Sequence, residues 1–184
     1  MLADILLTIF LVFLNGFFVA AEFAIVKVRL SQIQVRTQGN AMARVAESVV
    51  SHLDSYLAAT QLGITLASLG LGWIGESVVS KIIINIMGWM GMEADPELAH
   101  QIALPIAFAT ITVLHIVFGE LAPKSLAIRF PTRTTLWVAM PLKAFYFIFR
   151  PFIWMFKGFA NFILKVIGIE PVPHAEIHSE EELK

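Results

Sequence analysis

The chain has 184 residues, of which 58% are hydrophobic and only 15% charged, and its mean hydropathy is +0.78. This composition lies far outside the range of soluble domains and indicates a membrane protein. The absence of cysteine excludes disulfides, thiolate metal sites and cysteine nucleophiles. The net charge of -1 says little about partners, because the charges are segregated along the chain.

The first predicted element is an apolar run from Leu2 to Val26, which is long enough to cross a hydrocarbon core about 30 Å thick. Asp4 stands where a secretory signal carries positive charge, and the run is too long for a signal sequence, so we interpret it as a retained span. Asn15 and Glu22 lie two turns apart on one helical face, and Gly16 allows a neighbouring helix to approach closely. A structural alternative for Glu22 is pairing with the basic residues that follow the run.

A second span is predicted from Tyr56 to Ile74, and another apolar piece follows from Val78 to Met92. Four glycines interrupt this region: Gly63, Gly70, Gly72 and Gly75. We therefore predict a second helix whose second half is broken or bent. Gln61, Thr65 and Ser68 recur at helical spacing and share one face. For the two hydroxyls, bonding back to the preceding turn is the structural alternative.

A third span, from Leu98 to Phe118, leads directly into the stretch "GELAPK". Pro123 in this stretch has no amide hydrogen, and its ring conflicts with the carbonyl of Gly119 four residues earlier. A carbonyl released inside a bilayer needs another partner. We therefore predict that the third helix is broken here, as transporter helices are at their ion sites.

The residues around this predicted break indicate a cation site. Thr112, His115 and Gly119 follow at helical spacing and lead into Glu120, whose carboxylate lies at the depth of the released carbonyl. Oxygen ligands of this kind suit Mg²⁺, Ca²⁺ or Na⁺, whereas the lack of cysteine and the isolated histidine argue against zinc or copper. A lone histidine in a span is more typical of an interhelical hydrogen bond, and pairing with Lys124 is the structural alternative for Glu120.

The last apolar region, from Leu136 to Ile169, contains no uncharged run of spanning length. Lys143, Arg150, Lys157 and Lys165 recur about every two turns, near one face, while aromatic residues occupy much of the rest. This pattern predicts an amphipathic helix in the membrane interface, and a fourth span with snorkelling lysines is the alternative. The predicted fold is therefore an all-α membrane protein with three transmembrane helices, the second one broken, and an amphipathic juxtamembrane helical belt.

Basic residues near the span ends indicate the orientation. They follow the first and third spans: Lys27, Arg29, Arg36, Arg44, Lys124, Arg129 and Arg133. The segment from the end of the second span to the start of the third is acidic instead: Glu76, Glu93, Asp95 and Glu97. The positive-inside rule therefore predicts an outer N-terminus and a cytoplasmic C-terminus in the inner (plasma) membrane.

The C-terminal stretch, Glu170 to Lys184, is polar and acidic. Ser179 and Glu182 have the spacing of a capping box, so a helix is predicted to start where the sequence stops. We interpret residues 1–170 as a transmembrane domain with its belt and residues 171–184 as the start of a linker to a cytoplasmic domain.

Four ordered stretches of the chain resemble a known family. They are "NGFFVAAEFAIVKVRLSQI" (15–33), "LAATQLGITLASLGLGWIGE" (57–76), "FGELAPKSLAI" (118–128) and "HSEEELK" (178–184). Together they resemble the CNNM/CorC family of membrane proteins, in particular its bacterial hemolysin-like branch. The resemblance implies a homodimer of three-helix protomers with a belt, a cytoplasmic pair of CBS modules in full-length members, and transport of Mg²⁺, commonly as Na⁺-coupled efflux.

The resemblance also implies a set of metal-binding positions. These are Glu120, Gly119, Ser68, Thr65, Gln61, Ala20 and Glu22. Many relatives carry serines just before the glutamate of the first helix, whereas this chain has Val19, Ala20 and Ala21, so the first helix offers only backbone carbonyls there. Fewer protein ligands imply a partly hydrated ion.

Two functions follow as hypotheses. The first is a Mg²⁺ exporter coupled to Na⁺, with Glu120 supplying the main charge. The second is a non-transporting membrane scaffold that recruits partners through its belt and cytoplasmic tail. The sequence has no nucleophile with a base partner and no phosphate-cradling loop, which argues against an enzyme, and nucleic acid is not an expected partner.

Overall fold

The computed structural model describes residues 2–36, 40–91 and 96–168, with only the backbone of Pro96. Its elements are helices: α1 (Leu2–Lys27), α2 (Leu30–Gln34), α3 (Ala41–Ser51), α4 (Leu53–Trp89), α5 (Pro96–Leu114), a π-helical segment (His115–Leu121), α6 (Ala122–Arg129) and α7 (Pro131–Val166). The all-α prediction is confirmed for the described residues. The predicted linker, residues 171–184, lies outside them.

Four helical stretches are long and apolar enough to cross a membrane: Leu2–Lys27, Leu53–Trp89, Glu97–Arg129 and Pro131–Val166. The first three contain the three predicted spans. The fourth is α7, which covers the region predicted as a belt. The chain is therefore a multi-pass membrane protein.

The predicted break in the second helix is wrong, because α4 runs without interruption through 37 residues. Two of its glycines, Gly63 and Gly75, lie at close helix contacts instead. A Cβ at Gly63 would lie 2.5 Å from the Phe18 ring, and one at Gly75 would lie 3.0 Å from Ile111 Cδ1. A single glycine costs a helix only about 1 kcal/mol, and tight packing against α1 and α5 offsets that cost.

Helix α1 is the central element, in contact with α4, the π-helical segment, α6 and α7. The main core lies towards its C-terminal end, where Phe18 and Ile25 pack against Tyr56 of α4 and Leu142 of α7. The Phe18 ring centroid is 4.6 Å from that of Phe145, so aromatic residues of α7 enter the core as well as facing outwards.

The path of α7 is defined by contacts at two distant points. Near its start, the Thr132 hydroxyl donates to Gln32 Oε1 in α2 at 3.1 Å. In the second half of α7, Lys157 Nζ donates to Ser55 Oγ at the start of α4 at 3.4 Å. These two points are about 38 Å apart along the helix axis. However, α2 follows the C-terminal end of α1, and Ser55 lies at the N-terminal end of α4, so both contacts are at the same end of the bundle. We call it the basic end, because Lys27 and Arg29 lie there.

Candidate ion site

The candidate site is centred on the π-helical segment, His115–Leu121. The predicted break of the third helix is wrong in form, because helical backbone continues from Pro96 to Arg129 and widens locally instead. The amide of Ala122 donates to the carbonyl of Val117, five residues earlier. Since Pro123 cannot donate to Gly119, this wider turn accommodates the proline without ending the helix.

The carbonyl of Gly119 finds its partner in α1. Asn15, only 2% exposed, donates from Nδ2 to the Gly119 carbonyl oxygen at 3.0 Å. A carbonyl only accepts, so this bond fixes the orientation of the Asn15 amide and turns Oδ1 towards α4. The prediction that this carbonyl needs a partner outside its own turn is confirmed, and the partner is a side-chain amide.

A chain of hydrogen bonds extends from Asn15 to two further helices. Ser68 of α4 donates from Oγ to Asn15 Oδ1 at 3.0 Å. His115 Nε2 lies 3.4 Å from the same Ser68 oxygen. Because the hydroxyl hydrogen is used towards Asn15, this geometry requires His115 to carry a hydrogen on Nε2 and to donate it. His115, Ser68, Asn15 and the Gly119 carbonyl thus connect the three spans.

Two glycines allow the backbones of α1 and the π-helical segment to meet. A Cβ at Gly16 would lie 2.9 Å from the Phe118 carbonyl oxygen and 2.9 Å from Pro123 Cγ. A Cβ at Gly119 would lie 2.8 Å from His115 Cδ2 and 3.1 Å from Asn15 Nδ2. The predicted role of Gly16 in close helix approach is confirmed.

Glu120 lies next to this chain in sequence but outside it in space. Its side chain is exposed and makes no hydrogen bond or ion pair within the described part of the chain. Lys124 does not reach it and instead places Nζ 4.4 Å from the centroid of the Phe23 ring. The ion pair that the scaffold hypothesis expected between Glu120 and Lys124 is not formed.

The family of the chain follows from its whole length. A family model described as the Cyclin M transmembrane N-terminal domain matches residues 6–184. The chain belongs to the CNNM family. The resemblance seen in the sequence is thereby confirmed.

Relatives of this CNNM chain are similar along nearly all of it. UPF0053 protein YrkA of Bacillus subtilis (strain 168) is 46% identical over 176 residues, which cover 95% of the chain and 40% of the relative. UPF0053 protein YhdP of the same strain is 43% identical over 185 residues, covering 100% and 41%. Uncharacterized protein Rv1841c of Mycobacterium tuberculosis is 34% identical over 177 residues, covering 96% and 50%. The chain thus spans two fifths to half of the length of these curated relatives.

The predicted metal-binding positions of this CNNM chain fall into separate places. Ser68 and Gly119 are brought together through Asn15. Thr65 donates back to the Gln61 carbonyl at 2.8 Å, so the structural alternative for this hydroxyl is correct, and both of these residues are exposed. Among the described residues, no three His, Asp or Glu side chains lie close enough together to hold a metal ion.

The two predicted metal-binding positions of the first helix, Ala20 and Glu22, lie nearer the basic end of the bundle. Glu22 is half-buried, near Thr60, whose hydroxyl donates within its own helix to the Leu57 carbonyl at 2.9 Å. Ala20 is buried and packs with Ala24 and Ala127. The sequence placed Asn15 on one helical face with Glu22 but did not predict its contact with Gly119, because that partner is a backbone atom 104 residues away.

A groove with both polar and apolar walls adjoins the hydrogen bonds of Asn15, between α4 and the third span. It has a volume of about 300 Å³. Ser68 and His115 line the end of the groove next to Asn15. Glu76 of α4 and Thr112 of α5 line it further along the two helices. The groove extends away from the basic end, since Glu76 follows Ser68 along α4.

Proposed function

We propose that this CNNM chain is the membrane part of a divalent-cation transporter that exports Mg²⁺ in a process coupled to Na⁺. The observation that carries the proposal is the Gly119 carbonyl, which accepts from Asn15 inside an apolar helical stretch and stands beside Glu120 in sequence. Carbonyls of regular spans bond within their own helix, whereas one held by a side chain is available to exchange that partner for a cation.

The Asn15 amide provides a physical means for this exchange. Without a cation its nitrogen satisfies the Gly119 carbonyl and its oxygen accepts from Ser68. A half-turn of the amide directs Oδ1 to the side of the carbonyl, which gives Mg²⁺ or Na⁺ two neutral oxygens, with the Ser68 hydroxyl as a third. Since Mg²⁺ takes six oxygens and loses water reluctantly, the ion keeps part of its hydration shell in this proposal.

Glu120 supplies the negative charge and also indicates an assembly. Its carboxylate is exposed in a single chain although it lies within the third apolar stretch, Glu97–Arg129. A charged side chain at the centre of a bilayer costs about 3 kcal/mol on insertion scales, so this face needs a polar neighbour. A homodimer, in which the partner and a shared aqueous space cover Glu120, satisfies that need.

The proposed topology has three spans and a belt, with the N-terminus outside and the C-terminus in the cytoplasm. Its support is the path of α7, whose Thr132 and Lys157 both contact the basic end of the bundle through Gln32 and Ser55. A helix that crossed the bilayer would take Lys157 to the opposite end. The bilayer surface at that end is then the natural contact of the outward aromatic residues of α7.

The decisive experiment is flux of Mg²⁺ into or out of proteoliposomes that contain the full chain, under a Na⁺ gradient. Glu120→Gln is expected to reduce the initial rate to the level of empty liposomes while the protein elutes as wild type in size exclusion. Glu97→Gln, at the start of the same apolar stretch, is the matched control and is expected to retain the flux.

Unchanged flux in Glu120→Gln would refute the proposed site. Calorimetric titration of the wild type with Mg²⁺, Ca²⁺, Mn²⁺ and Na⁺ separates the two functional hypotheses. A scaffold would show no binding above background together with a strong loss of stability in Glu120→Gln, and that combination would overturn transport.

A further inference from the structure

A second cavity lies at the basic end of the bundle, away from the hydrogen bonds of Asn15, and has a volume of about 510 Å³. Two arginines, Arg36 and Arg133, line it together with apolar side chains that include Leu126, Phe130 and Trp137. Among the described residues that line it, none is acidic. The cavity therefore combines concentrated positive charge with an apolar wall, and its volume is that of a small-molecule site.

The fold holds the two arginines at the same cavity. Arg36 follows α2, and Arg133 lies in the first turn of α7. The hydrogen bond from Thr132 to Gln32 Oε1, 3.1 Å long, joins these two elements one residue before Arg133. Arg129 does not line the cavity, but its guanidinium lies 5.6 Å from the centroid of the ring of Phe130, which does.

Charge complementarity identifies the polar part of the occupant. The two guanidinium groups of Arg36 and Arg133 repel each other across the cavity, and an anion that contacts both of them removes this repulsion. Guanidinium groups bind phosphate oxygens through two parallel hydrogen bonds, which makes phosphate the best-matched anion.

The apolar wall identifies the rest of the occupant. Leu126, Phe130 and Trp137 are 55%, 48% and 70% exposed and open towards the outside of the bundle. A free phosphate ion would leave this wall in water, whereas an acyl chain would cover it. Tryptophan also concentrates at the depth of lipid headgroups.

We propose that this cavity binds one anionic phospholipid, with its phosphate between Arg36 and Arg133 and an acyl chain along Leu126, Phe130 and Trp137. Basic pockets between helices at the cytoplasmic surface are suited to such headgroups. Of the predicted metal-binding positions only Ala20 lines this cavity, and none of Asn15, Ser68 and His115 does, so the proposal does not depend on ion transport.

The test uses the tryptophan of the cavity as its probe. In a variant that keeps only Trp137, with Trp73, Trp89 and Trp154 replaced by phenylalanine, phosphatidylglycerol with brominated acyl chains is titrated into the full chain in detergent micelles. Quenching is expected to saturate for phosphatidylglycerol and to be at least tenfold weaker for brominated phosphatidylcholine.

Arginine variants then locate the headgroup. Arg36→Gln or Arg133→Gln is expected to weaken phosphatidylglycerol binding about fivefold, and the double variant roughly 25-fold. Arg150→Gln, an exposed arginine of α7 that does not line the cavity, is the matched control and is expected to bind as the parent does.

Three outcomes would overturn the proposal. Equal quenching by both lipids, or an equal effect of Arg150→Gln, would mean unspecific lipid contact. Displacement of the lipid by millimolar inorganic phosphate would mean a site for the free anion. A change from dimer to monomer in the arginine variants, without saturable quenching, would mean that a second copy of the chain occupies the cavity.

Discussion

Gly119→Ala tests the close contact on which the candidate ion site depends. The added methyl group would lie 2.8 Å from His115 Cδ2 and 3.1 Å from Asn15 Nδ2. Both neighbours belong to the hydrogen-bonded chain, and Asn15 is buried, so neither can move away without loss of its own contact. We expect the substitution to separate Asn15 from the Gly119 carbonyl.

The size of the effect follows from three contributions. Overpacking in a close-packed interior costs about 1 to 3 kcal/mol, and loss of the Asn15 bond adds about 1 kcal/mol. Alanine returns about 1 kcal/mol because it is a better helix former than glycine. The free energy of unfolding is therefore expected to fall by about 1 to 3 kcal/mol.

The measurement is SDS-induced unfolding in mixed micelles, followed by circular dichroism. Gly72→Ala is the matched control, since a Cβ at this position of α4 has nothing within 4 Å. There only helix propensity changes, and stability should rise by up to about 1 kcal/mol. If Gly119→Ala were as stable as Gly72→Ala, the contact between α1 and the π-helical segment would not be as close as described.

Two further predictions concern the same site. Ser68→Ala leaves Asn15 Oδ1 buried without its donor and should cost about 1 to 3 kcal/mol in the same unfolding assay. The control is Ser77→Ala, whose exposed hydroxyl bonds back to Ile74, and it should change stability by less than about 0.5 kcal/mol. Equal costs would mean that Ser68 does not donate to Asn15. Pro123→Ala restores an amide that can bond the Gly119 carbonyl within the helix, so the thermal midpoint of unfolding should rise. The affinity for Mg²⁺ in calorimetric titration should fall roughly tenfold, the equivalent of about one hydrogen bond. An unchanged affinity would mean that the Gly119 carbonyl is not a ligand.

The helical architecture was predictable because its causes are local. An apolar run of spanning length must satisfy its backbone hydrogen bonds internally, so the three runs that begin near Leu2, Tyr56 and Leu98 could only be helices. Pro123 conflicts with the Gly119 carbonyl whatever surrounds them, so the irregularity was predictable too. The form of this irregularity was not predictable, since a break and a π-helical turn both relieve the conflict. The packing of α1 against this segment decides between the two.

The glycines of α4 show why other predictions failed. A glycine weakens a helix by a small amount, and its consequence depends on the atoms opposite it, which sequence does not specify. Gly63 faces the Phe18 ring, whereas Gly72 faces open space. Ser68 and Thr65 differ in the same way: one reaches Asn15 in another helix and the other bonds back to its own turn.

Sequence alone thus determined the apolar runs, the segregation of charge and the need of the Gly119 carbonyl for another partner, because hydrophobicity and proline geometry act over a few residues. Only the tertiary structure decided that Asn15 is this partner, and that Thr132 and Lys157 bring both ends of an α7 stretch to one end of the bundle. Which side chain meets a given atom depends on how helices distant in sequence pack together, and that packing is a property of the whole chain.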